Sequence, residues 1–168
     1  MNEITMTDAQ LKECAEKGPR GFITGITDRY KEVIGGQLTA ETMPLLTGRQ
    51  HALLSFRIFS DEVEDGGFIQ LIQNGYGPYI FDNPFAKAMR LMGLKDFSKL
   101  IYKAKEIYDK NREELEKDID EDEFMALYEQ YDNLGDLCDE FLVEQEDIIN
   151  VLAYYVDEHL EEFITVRG

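Results

Sequence analysis

Residues 122–163 read DEFMALYEQYDNLGDLCDEFLVEQEDIINVLAYYVDEHLEEF, and this stretch decides the fold class. Apolar side chains recur at Phe124, Leu127, Tyr128, Tyr131 and Leu134, then at Ile148, Ile149, Leu152, Val156, Leu160 and Phe163. That is the i, i+3, i+4 spacing of helices packed on a core. A disordered acidic tail lacks such aromatic and branched side chains. The carboxylates between them therefore belong to the outer faces of ordered helices, predicted over about 122–141 and 144–163.

Upstream the same period recurs. Thr7-Asp8-Ala9-Gln10 and Thr47 with Gln50 have the form of capping boxes, each opening a helix. The first helix is expected to stop at Gly18-Pro19, and a second short one to cover 25–34. The helix from Thr47 runs to about Glu64, where Gly66-Gly67 breaks it before a short buried helix over Phe68–Asn74. Gly75-Tyr76-Gly77-Pro78 reads as a loop. Asp82-Asn83-Pro84 places a capping residue before a helix that Gly93 ends. Asp96 to about Glu116 reads as the longest helix. No stretch sustains a period of two. The expected architecture is one all-α domain over 1–168 with six to eight helices: N-terminal helices over 1–46, then a core with acidic C-terminal helices over 47–165.

The charge is segregated. The chain has 168 residues with 35 Asp+Glu against 17 Lys+Arg, a net of −18. Residues 1–100 are near neutral at −2, whereas 113–162 hold 20 acids and one base, Lys117. Such a surface repels phosphate and excludes direct nucleic-acid binding as the expected role. No apolar run is long enough to span a membrane. The N-terminus carries no export signal, and Cys14 and Cys138 make no disulfide framework, so a cytoplasmic location is expected.

Candidate chemistry is sparse. Asp118, Asp120, Asp122 and Glu129 occupy oxygen-ligand positions of a calcium loop, but Glu123 stands where the sharp turn needs glycine. An acidic interhelical turn is the preferred reading, and no metal or cofactor is expected. His51 and His159 have no ligand-spaced partner, and His159 reads as a surface histidine. Cys14 and Cys138 read as small core residues. No nucleophile elbow, P-loop, CxxC or HExxH motif occurs, so no catalytic residue is assigned. Gly66 and Gly67 are expected to let two helices meet at a sharp angle, with Phe68 entering the core and Gln70 and Asn74 bonding loop backbone.

The stretch from Glu62 through Gly66-Gly67-Phe68, Gln70 and Asn74 resembles the signature of small acidic bacterial proteins grouped with a DNA mimic, a former domain family of unknown function with a GGFxQxxxN motif. Asp65 stands where the pattern has Asn. The chain also closes as that family does, with Tyr155-Val156, His159 and Phe163, and the likeness covers about 47–165. The resemblance implies an all-α fold, dimerisation and, in one branch, binding to a DNA-binding regulator in place of DNA.

Charge density is consistent with that role. If 113–162 is mostly helical it spans ~75 Å, one net charge per about 4 Å, against ~3.4 Å along one DNA strand. The expected partner surface comprises Asp136, Asp139, Glu140, Glu144, Glu146, Asp147, Asp157, Glu158, Glu161 and Glu162. The expected partner is a basic DNA-binding protein such as a transcriptional regulator. An immunity protein that blocks a basic nuclease toxin is the alternative, and a plain acidic helical protein is the third reading.

Overall fold

In the computed structural model, which describes residues 3–168, the chain groups into two compact units. One comprises residues up to 57 together with 147–168, and the other 58–146. The described residues form nine α-helices and two three-residue strands, so the all-α expectation holds.

In the first unit, β1 (Thr5–Thr7) leads into α1 (Asp8–Glu16) through the capping box. Gln10 N donates to Thr7 Oγ1 at 3.1 Å and Thr7 N to Gln10 Oε1 at 2.8 Å. The helix α2 (Gly18–Val33) is longer than expected. Pro19 does not interrupt it, because proline in a first turn forfeits only an amide that has no partner there. Gly18, at φ +88, turns the corner between α1 and α2. The helices pack so closely that a Cβ on Gly25 would lie 2.1 Å from Cys14 Sγ. After a 3-10 turn at Met43–Leu45, the second capping box opens α3 (Gly48–Gln73), with Gln50 N donating to Thr47 Oγ1 and Thr47 N to Gln50 Oε1. The chain ends in β2 (Thr165–Arg167), parallel to β1 with Thr5 opposite Thr165. Strands of three residues are too short to show an alternating pattern, which is why the sequence read as strand-free. Phe163, fully buried, anchors this end: its carbonyl accepts from Tyr30 Oη at 2.6 Å and Gln50 Nε2 at 3.1 Å.

In the second unit the Gly66-Gly67 break lies inside α3. Gly67 adopts φ 77, ψ −170, a conformation that only glycine enters without strain. The kink is clamped from the side. Both oxygens of Glu62, before it, accept from residues after it: Gln70 Nε2 and Asn74 Nδ2, each at 2.8 Å. Gln70 and Asn74 thus bond a side-chain carboxylate and not the loop backbone that was expected. A Cβ on Gly66 would meet Gln70 Oε1 at 2.1 Å, so glycine there leaves room for the Gln70 side chain to reach Glu62.

Beyond the kink, α4 (Gly77–Phe81) occupies part of the expected loop. Asp82 does not cap the next helix. It pairs with Arg112, while Asn83 Nδ2 bonds the Tyr79 carbonyl at the end of α4. Then come α5 (Phe85–Leu91), stopped by Gly93 at φ +93, and α6 (Lys95–Lys110). The expected longest helix divides at Asn111, and α7 (Arg112–Glu116) follows as a separate turn.

The last helices also divide differently. They are α8 (Glu121–Gln130) and α9 (Asp132–Glu158), with the break at Tyr131 and not after residue 141. The stripe Leu134, Leu137, Cys138, Phe141, Ile148, Ile149, Leu152 stays in phase through the middle because Gln145 fills the gap as a buried polar member. Its amide donates to Ser60 Oγ at 2.8 Å. Asp120 caps α8, its carboxylate accepting from Glu123 N at 2.8 Å, which gives the acidic turn a structural role.

The core of this unit is a phenylalanine cluster. Phe59 lies 5.4, 5.9, 5.4 and 4.9 Å (ring centroids) from Phe68, Phe85, Phe97 and Phe141. It therefore joins both arms of the kinked α3 to α5, α6 and α9.

Candidate functional site

Helix α9 carries the acidic surface. Its buried stripe occupies one side, and at 3.6 residues per turn Asp136, Asp139, Glu140, Glu144 and Glu146 fall on the other. All five are exposed. With Asp132 they place six carboxylates on about 22 Å of helix axis, one per about 4 Å. Val143, 80% exposed, stands among them as an apolar contact point.

In the first unit the remaining candidates separate. Asp147, Asp157 and Glu158 are exposed on α9. Glu161 and Glu162 lie beyond that helix, in a 3-10 turn at Leu160–Glu162. Glu161 is exposed, but Glu162 is half-buried and paired with Arg49 at 3.3 Å. Among the described residues, Asp136, Asp139, Glu140, Glu144, Asp147, Asp157, Glu158 and Glu161 form no ion pair. Acids elsewhere are commonly neutralised: Asp8 by Lys12, Asp28 by Arg57, Asp109 by Lys105 and Asp82 by Arg112.

The row is electrostatically loaded. Asp132/Asp136, Asp136/Glu140 and Glu140/Glu144 are i, i+4 like-charge pairs, each costing about 0.2–0.5 kcal/mol. Asp157 and Glu158 also sit at the negative end of the α9 dipole. His159 stacks on Tyr155 with centroids 4.0 Å apart, and its Nδ1 lies 2.9 Å from the Tyr155 carbonyl. His51 Nε2 lies 2.7 Å from the Met43 carbonyl.

Beside the row is a feature with no sequence signal. The kink of α3 and the facing parts of α8 and α9 enclose a cleft of about 360 Å³. Tyr128 Oη donates to the Gly66 carbonyl at 2.6 Å, and Tyr131 Oη to Glu114 at 2.9 Å. Burial, reinforced by Glu114, pushes Tyr131 up to about 12. At the cleft wall the Phe68 amide points at Cys138 Sγ, 3.3 Å away. Burial raises the Cys138 thiol to about 11, so it is a neutral group there. Among the described residues no grouping of His, Cys, Asp and Glu could hold a metal, and no helix is long and apolar enough to cross a membrane.

A family model described as DMP19-like protein matches residues 44–159. The chain is also 29% identical over 160 residues, covering 94% of its own length and 96% of the relative's, to a Neisseria meningitidis serogroup B protein described as DNA mimic protein DMP19.

Proposed function

The chain belongs to the DMP19-like protein family, and from that premise we propose that it is a non-enzymatic DNA mimic, whose acidic α9 surface occupies the DNA-contacting face of a basic DNA-binding protein. The observation that carries this reading is that Asp136, Asp139, Glu140 and Glu144 are exposed on α9 and, among the described residues, form no ion pair. A surface meant only for solubility gains nothing from concentrating repulsion on one helix face. A basic groove relieves that repulsion, and long-range attraction speeds the encounter. The fixed spacing of the helix holds the charges near strand density without a flexible tail to order on binding.

The test is capture from lysate on the immobilised chain, followed by salt elution and competition with duplex DNA. A DNA-binding protein released by both treatments, and not retained by the variant D136N/D139N/E140Q/E144Q, is the expected result. Identical proteins retained by the wild type and the variant would overturn the assignment.

A further inference from the structure

The cleft at the α3 kink has the chemistry of a cation receptor. Asp139 and Asp65, which accepts from Gln70 Nε2 at 3.0 Å, bring exposed carboxylates to it, and no Lys or Arg lines it. Its two tyrosines have already committed their hydroxyl hydrogens, Tyr128 to Gly66 and Tyr131 to Glu114. Tyr128, half-buried, offers a ligand ring surface, and neither tyrosine has a further donor to give. Gly67 and Gly135 leave it open, since neither carries a side chain and a Cβ on Gly135 would meet nothing within 4 Å. Asp139 belongs both to the cleft and to the α9 row, so the cleft is continuous with the acidic surface.

We propose that this cleft, with its carboxylate rim and tyrosine wall, receives one arginine side chain of the basic partner. The inference rests on the DNA-mimic reading and adds to it a specific anchor. An arginine stem is apolar and its planar head combines charge with stacking on aromatic rings. Such a side chain lays its methylenes along the Tyr128 ring and the open backbone at Gly67 and Gly135 while its guanidinium meets Asp65 and Asp139. A phosphate or an acidic peptide is repelled by the same rim. Lysine satisfies the charge but not the planar contact, so guanidinium selectivity is the signature of this site. Surface acids elsewhere on α9 contribute steering, whereas a desolvated anchor contributes residence time.

The experiment uses the intact chain at low salt, titrated with N-butylguanidinium and, separately, with butylammonium, and followed by amide NMR. The amides of Gly66, Gly67, Gly135 and Asp139 should shift saturably, with a midpoint at least threefold lower for the guanidinium. D139N should raise that midpoint at least fivefold. G135L, which leaves the charge unchanged, should abolish the shifts by filling the mouth. E16Q, an exposed acid on α1 and outside the cleft, should leave the midpoint unchanged. Shifts that never saturate, that spread evenly over all acidic positions, or that survive both D139N and G135L would overturn the cleft. If guanidinium binds as stated but the α9 charge variant still captures the same proteins, the mimic reading fails and the cleft stands. If that variant loses capture but no guanidinium site is found, the cleft alone fails.

Discussion

Helices α6 and α9 bury the same kind of surface and expose opposite charges. Each turns aromatic and aliphatic residues to the phenylalanine cluster, where Phe97 and Phe141 meet at 5.4 Å. Because their buried faces meet there, their outer faces point away from each other. On α6 the outer face repeats Lys95, Lys99 and Lys103 at i, i+4, i+8, with Lys87 and Arg90 on the neighbouring α5. On α9 the same interval carries Asp136, Glu140 and Glu144. Among the described residues none of these eight groups is ion-paired. The net charge of −18 therefore conceals a polarised unit, in which a basic ridge and an acidic row share one core. Helical packing requires only the buried stripe, and leaves the sign of the outer face open to selection for partners.

The most damaging way to break this pairing is at the core. F59A removes a ring in contact with four others and should cost about 3–5 kcal/mol, read from urea unfolding. Since α3 and α9 contribute residues to both units, we expect a single transition, and two resolved transitions would divide the chain. G67A comes next. It forces a side chain into a backbone region nearly reserved for glycine and brings a Cβ within 3.1 Å of Cys138 Sγ, so a loss of about 1–3 kcal/mol is expected in the same assay.

Smaller effects sharpen the comparison of the two outer faces. Neutralising either row, by K95Q/K99Q/K103Q or D136N/E140Q/E144Q, removes like-charge i, i+4 pairs and should raise stability by about 0.5–1 kcal/mol at low ionic strength. That gain should fade in high salt, because exposed charges are screened. Only the second variant should lose the basic partner. The mildest test is alkaline pH. Cys138 and Tyr131 are held at about 11 and about 12, above their ordinary 9 and 10. The folded state keeps these protons while the unfolded chain releases them. Stability is therefore whole below pH 9 and falls as pH rises through about 9–12. C138A should remove the earliest part of that fall, seen as a flatter unfolding midpoint between pH 9 and 11.

Much of this was legible along the chain, and what was legible was local. The capping boxes at Thr7 and Thr47 form because each needs only residues three apart. The apolar spacing from Phe124 to Phe163 marked ordered helices and so placed the carboxylates outside. Reading failed where distant residues intervene. A break was expected between 141 and 144, yet the α9 stripe continues through Gln145, buried with its amide hydrogen accepted by Ser60. Glu162 looked like part of the acidic fence until Arg49 paired with it. Tyr128 and Tyr131 looked like ordinary core residues, yet they wall the cleft.

Composition and periodicity alone therefore established a helical chain whose last third presents carboxylates outward. Burial of a 3.6-residue stripe is a property of each segment taken singly. Which carboxylates stay uncompensated, where α9 begins, and the existence of a cleft beside Asp139 were decided by tertiary packing. Each depends on groups tens of residues apart meeting within a few ångströms, and no local pattern records such a meeting.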